Sequence, residues 1–178
     1  MDILFTMMKG VVMKAINIFL IVVICFVGSV WAYDEPMFFR DMRFCRTISE
    51  YSSKLEIVED DGNLKFYKNP KESLKIGRAK LTSITYGFYD DVFFSVMIKF
   101  ENYSNSRALL DAMKYRYGEP DKPNRYMERY YWHGEDVSIS FDYREITRRG
   151  EVYIMYKSLS ERMKQSNSRA AENARDDF

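Results

Sequence analysis

Cysteine, histidine and proline are scarce in this chain of 178 residues, and each shortage excludes something. The two cysteines are Cys25 and Cys45. Cys25 lies in an N-terminal apolar run; once that run is removed Cys45 stands alone, and no intrachain disulfide can form. Val22-Val23-Ile24 ahead of Cys25 lacks the small residue that lipid attachment needs, so no acyl anchor is expected. The single histidine, His133, excludes a metal site with two imidazoles and a His-Cys zinc cluster of the usual spacing. There is no G-x-S-x-G, no P-loop and no G-x-G-x-x-G. No metal or cofactor is expected.

An excess of charge of one sign is also missing, since the net charge is +1. Setting aside Lys9, Lys14 and Asp2 leaves 25 basic and 25 acidic residues after position 32. Such a balance argues against nucleic acid, which needs a basic stripe, and against electrostatic docking on anionic lipid.

What is present begins with the N-terminus. Lys9 and Lys14 precede an apolar run from Ala15 to Val27, and Val30 and Ala32 are small residues at the positions a signal peptidase reads. Residues 1–32 therefore read as a secretory signal peptide cleaved after Ala32, with Met1, Met7, Met8 or Met13 as the start. The alternative is an uncleaved leader that tethers the domain to the inner membrane, because Ala15 to Ala32 is about as long as the shortest spanning helices. Residues 33–158 then form one exported domain, periplasmic or secreted, and 159–178 a polar tail, partly helical or disordered.

Within the domain the spacing predicts a helix with Ser104 or Asn105 as N-cap. Leu109, Leu110, Met113 and Tyr117 fall on one face, and Gly118 and Pro120 form the stop. Thr82, Ile84, Tyr86 and Phe88 alternate with polar or small residues, Tyr89-Asp90-Asp91 turns the chain, and Phe94, Val96, Ile98 and Phe100 follow. Tyr130-Tyr131-Trp132, then Val137 to Tyr143, then Glu151 to Lys157 read as further strands, the last turned by Arg148-Arg149-Gly150. Leu55–Glu59 and Asn63–Tyr67 flank the hairpin signal Asp60-Asp61-Gly62. Thr47 to Lys54 suggests a short helix and Leu74 to Lys80 a strand. The fold class is α+β: an antiparallel sheet with one amphipathic helix packed on a face, a ββαββ-type unit preceded by a β-hairpin.

Candidate chemistry is thin. Cys45 beside Phe44 and Ile48 is expected to be buried, although Arg43 and Arg46 would favour a thiolate. His133 reads as a turn residue, and no local signature couples it to Cys45. Glu59-Asp60-Asp61-Gly62-Asn63 lacks the alternate acidic spacing of a calcium loop and reads as a solvated turn. The aromatic segment from Tyr126 to Trp132 is the one candidate ligand face: Tyr126, Tyr131 and Trp132 would supply contact area, and Arg129 hydrogen-bond donors. Packing of alternate residues into the core is the competing account, and exposure of Tyr131 and Trp132 decides between them.

Several segments resemble a group of small exported bacterial proteins of uncharacterised function. They are Phe39-Arg40-Asp41-Met42-Arg43-Phe44, Leu74-Lys75-Ile76-Gly77 and Ile84-Thr85-Tyr86-Gly87-Phe88-Tyr89, with Tyr117-Gly118-Glu119-Pro120 and Asn124-Arg125-Tyr126 through Tyr130-Tyr131-Trp132-His133-Gly134. The likeness runs from Phe39 to about Tyr156 and departs at Cys45, where the group carries glycine. It implies an exported single domain and contributes no catalytic residue. The combined expectation is a non-enzymatic binding or accessory protein of the bacterial envelope, meeting a protein or cell-wall component. An envelope hydrolase using carboxylates or Cys45 is the alternative.

Overall fold

The computed structural model describes residues 35–174, so the leader expected over 1–32 and its cleavage site lie outside the described residues. Along the chain run β1 (Phe38–Phe39), β2 (Met42–Arg43), β3 (Glu56–Asp61), β4 (Leu64–Lys68), β5 (Lys75–Ile76), β6 (Ala79–Tyr89) and β7 (Val92–Glu101). Helix α1 (Tyr103–Tyr117), β8 (Glu128–His133), β9 (Val137–Arg144), β10 (Arg149–Tyr156) and helix α2 (Lys157–Ala174) follow. The sheet order is β3-β4-β6-β7-β10-β9-β8, all pairs antiparallel, with β5 pairing β6 and β1–β2 forming a separate small hairpin. This is the expected α+β architecture. Helix α1 carries the chain from β7 to the far edge, and β9 and β10 return strand by strand to meet β7.

The β6–β7 hairpin anchors the sheet. Tyr89 pairs with Val92, and Asp90 and Asp91 between them take φ of 48° and 59°. Two left-handed residues make the I′ turn, whose twist matches that of the flanking strands. Two irregularities shift the expected phase. One, between Leu81 and Ser83, leaves Thr82 exposed; the other, opposite Gly87 and Phe88, turns Phe93 inward and Phe94 outward. A bulge adds one residue to a period of two, so every side chain beyond it changes face.

Inward-facing Ile84, Tyr86, Phe88, Phe93, Val96, Ile98 and Phe100 meet Ile139, Phe141, Val152 and Ile154 beneath Leu109, Leu110 and Met113 of α1. The packing is aromatic: Phe44 stacks on Phe93 at 4.7 Å and Phe100 on Tyr143 at 6.2 Å. Each such ring removes about 150–250 Å² from water, which suits a core without covalent staples. At Gly150 a Cβ would lie 2.3 Å from the Phe100 ring, so the side chain is missing where that ring packs across the strand.

Several boundaries differ from those expected. Helix α1 starts earlier, with Asn102 as the capping residue. The Asn105 side chain instead donates to the Glu101 carbonyl at 2.8 Å and accepts from the Lys80 N–H at 3.0 Å. Gly118 does end the helix, with φ of 81°. The Thr47–Lys54 helix shrinks to one 3₁₀ turn, Ile48–Glu50. Leu74–Lys80 is split into β5 and the start of β6 by Gly77-Arg78. The last turn is 145–148, with β10 already begun at Arg149, and His133 ends β8 rather than lying in the turn. The polar tail is helix α2, whose first turns bury Leu159 and Ser160. Leu159 joins Tyr89 and Phe94 in a second cluster on the opposite face of the sheet. None of the described helices is long and apolar enough to cross a membrane.

Candidate functional site

Strand alternation divides the aromatic segment. Tyr130 and Trp132 point into the core, at 6% and 3% exposure. The Trp132 indole N–H donates to the Gly118 carbonyl at 2.8 Å and its ring meets Tyr117 edge-on at 6.5 Å. Trp132 is therefore removed from the ligand face: consecutive residues of a strand point to opposite sides, and its side is the interior. Tyr130 is held by the Lys122 ammonium, 4.9 Å above its ring, and donates to Glu128 Oε2 at 2.5 Å. Burial opposes the charge on Glu128, yet the donors Lys122 and Tyr130 outweigh it and hold the carboxyl below its ordinary range.

Arg129 and Tyr131 face the other way, half-exposed. Arg129 Nε donates to Asp142 Oδ2 at 2.8 Å, which keeps the guanidinium charged and fixed in direction. Tyr131 stacks on His133 with ring centres 5.8 Å apart and planes 10° apart. The backbone of Tyr131 also pairs with Asp121, whose bridge closes part of this sheet edge. Tyr126 lies outside the strand, in the loop 118–127. It is 80% exposed, with the Arg125 guanidinium 4.6 Å from its ring.

Pairing register assembles the outer face around Tyr131. Tyr131 and Tyr153 both pair with Ser140, one from each side, and Tyr153 pairs in turn with Met97. Two strand spacings, about 9–10 Å, thus separate the tyrosines on one row. The row beside it reads Arg129, Asp142, Glu151, Lys99 across four strands. Tyr131, Tyr153, Met97, Asp142 and Glu151 are all half-buried. Burial, and the charge of Glu151 next to it, push the Tyr153 hydroxyl above its usual range. The charged row opens into a cleft of about 390 Å³ bordered by Lys99, Asp142, Arg144, Thr147, Arg149 and Glu151. Helix α2 packs at the other end of this face, against Tyr89 and Phe94.

Tyr153, Met97, Glu151 and Lys99 were not singled out from the sequence. Their signal was present as the polar-side positions of alternating strands, but only the pairing of β8, β9, β10 and β7 brings them onto one surface. Tyr126, by contrast, is not carried on a strand.

Cys45 is exposed, which corrects the expected burial. Its φ is 64°, and its N–H donates to the Phe93 carbonyl at 2.9 Å, so the backbone is tied down while the side chain turns outward. The thiol neighbours Tyr156, whose hydroxyl is pushed up by burial and then by Cys45. His133 faces Asp121 at 3.9 Å and stacks on Tyr131, whereas the Cys45 thiol lies beside Tyr156. Among the described residues no group of three or more His, Cys, Asp or Glu is placed to hold a metal ion. Compared with protein-family models, curated proteins and solved structures, the chain finds no match.

Proposed function

We propose that this is an exported, non-enzymatic binding or accessory protein of the bacterial envelope, which meets a protein or cell-wall component on the outer face of its sheet. The supporting observation is the row Tyr131–Ser140–Tyr153–Met97, half-exposed and bordered by Arg129, Asp142, Glu151 and Lys99. Rigid aromatic and thioether groups offer contact area at low entropic cost, and the flanking charges offer directional hydrogen bonds. The apolar run from Ala15 to Val27, preceded by Lys9 and Lys14 and followed by small Val30 and Ala32, supports an extracytoplasmic setting.

The test is cross-linking from envelope fractions and purified cell wall, comparing the parent with a Tyr131→Ala/Tyr153→Ala variant. Both substitutions lie on the half-exposed outer face, so the variant is expected to fold, which its circular dichroism checks. A ligand captured by the parent and lost from the variant supports the reading. Turnover of wall or peptide substrates with no captured ligand replaces it with a hydrolase. The mass of the mature protein tells a cleaved leader from a tether.

A further inference from the structure

Helix α2 changes its chemistry along one stripe. Leu159 is buried beside Tyr89 and Phe94. Arg162, Ser166 and Arg169 follow it at spacings of three, four and three residues, which keeps them on the same side of the helix. Where a packing helix would continue with apolar residues, this one continues with hydrogen-bond donors. Together with Gln165 and Tyr89 they line a cleft of about 280 Å³, and no carboxylate is among its lining residues.

We infer that this cleft is a binding site for a dianionic phosphate, free or as the terminal monoester of a small molecule. Three observations converge on it. The first is charge. Among the described residues neither Arg162 nor Arg169 has a carboxylate partner, so two guanidinium groups line one cleft uncompensated. A group with two negative charges matches them, and guanidinium forks fit its oxygens in pairs.

The second is Tyr89. Only 6% of it is exposed, and among the described residues its hydroxyl has no hydrogen-bond partner. A buried hydroxyl left unpaired is costly, and a bound oxyanion supplies the missing acceptor. The third is the supply of donors. Two guanidinium forks, the Gln165 amide and the hydroxyls of Ser166 and Tyr89 exceed the roughly four acceptor sites of one carboxylate. A phosphate monoester offers a third strong acceptor oxygen. The cleft lies where α2 packs, apart from the row of Tyr131 and Tyr153, so this inference goes beyond the proposed partner surface and can fail without it.

The experiment titrates the purified protein with sodium phosphate, glycerol 3-phosphate, acetate and glutarate, at constant ionic strength and about pH 7.5, where both phosphates are mostly dianions. Amide shifts are followed by NMR. The site predicts saturable shifts at Tyr89 and along residues 162–169 with both phosphates, and binding at least tenfold weaker with acetate and glutarate. Tighter binding of glycerol 3-phosphate than of inorganic phosphate assigns the monoester as ligand, and the reverse order assigns the free ion. The double variant Arg162→Gln/Arg169→Gln is expected to weaken phosphate at least tenfold, whereas Lys164→Gln, off the lining, binds as the parent does. Tyr89→Phe is expected to weaken phosphate several-fold while keeping or raising the melting temperature, because it removes a buried hydroxyl that lacks a partner. Absence of saturable shifts in the parent, or equal losses in Lys164→Gln and the double variant, overturns the site. Glutarate that binds as tightly as the phosphates overturns the ligand class. A parent that captures a partner by cross-linking yet shows no phosphate shifts loses this inference alone and keeps the proposed function.

Discussion

The hydroxyl of Tyr86 donates to Glu72 Oε2 at 2.7 Å, and the same oxygen takes the Arg40 guanidinium at 2.5 Å. One carboxylate, 5% exposed in its side chain, thereby joins the centre of β6 to the turn between β1 and β2. Burial first, then the hydrogen bond and charge of Glu72, raise the pKa of Tyr86 above the ordinary 10.0.

The pH consequence of this pair has a definite sign. The folded protein keeps the Tyr86 proton at pH values where the unfolded chain releases it. Its contribution is full below about pH 10 and falls as pH rises above that, by up to about 1.4 kcal/mol per pH unit for one proton. Tyr86→Phe is expected to cost about 1 kcal/mol at pH 7, the worth of one hydrogen bond. The variant loses stability less steeply above pH 10. Urea midpoints at pH 8, 10 and 11 for both proteins check this, and parallel losses would contradict it.

Glu35 holds the turn between β8 and β9. Its carboxylate accepts the N–H groups of Asp136 at 2.8 Å and Val137 at 2.9 Å, and that of Glu135 as well. Burial works against the charge, but these donors, helped by Lys157, outweigh it and set the pKa below 4.5. The stabilising contribution is therefore present above about pH 4.5 and lost as pH falls through the lower folded value. Glu35→Gln is expected to lose about 1–2 kcal/mol at pH 7, since solvent screening at this accessible site trims the worth of bonds to a charged acceptor. At pH 3 the difference narrows, which chemical unfolding at the two pH values measures.

Local signals carried much of this fold. Asp90-Asp91 marked the turn, Leu109, Leu110 and Met113 the buried helix face, and Gly118 the helix stop, because each depends on neighbours within a few residues. The bulges leave no mark in the sequence, so Phe94 reads as sharing a face with Val96, whereas the structure puts it in the cluster on the other side. The segment of helix α2 reads as a polar tail, partly helical or disordered, because its burial rests on Leu159 meeting Tyr89 and Phe94, residues far away in the chain. The candidate surface was half legible for the same reason: Tyr131 lay in a conspicuous aromatic run, whereas Tyr153 and Met97 become its neighbours through strand register alone.

Cys45 makes two expectations concrete. Being exposed, it should react stoichiometrically with a thiol reagent in the native protein, and Cys45→Ser should abolish that signal. Its φ of 64° is in the left-handed region, which costs an ordinary residue about 1–2 kcal/mol. Cys45→Gly relieves that cost and adds about 0.5–1 kcal/mol of unfolded-chain entropy. A net gain of about 0.5–1 kcal/mol is expected, read as a higher denaturant midpoint.

Trp132 and Tyr131 are adjacent in sequence and are predicted to fail in different ways. Trp132 is 3% exposed and its N–H meets the Gly118 carbonyl, so it locks β8 to the end of α1. Trp132→Phe should cost about 1–3 kcal/mol by leaving that carbonyl short of a donor, and Trp132→Ala about 3–5 kcal/mol by opening a cavity as well. Tyr131→Ala, on the outer face, should cost less than about 1 kcal/mol in stability, since half-exposed positions away from the core tolerate substitution. Binding reverses the order. In the cross-linking assay Tyr131→Ala is expected to reduce ligand capture, while Trp132→Phe, still folded, captures as the parent does. Equal capture by the parent and Tyr131→Ala would remove Tyr131 from the interaction surface.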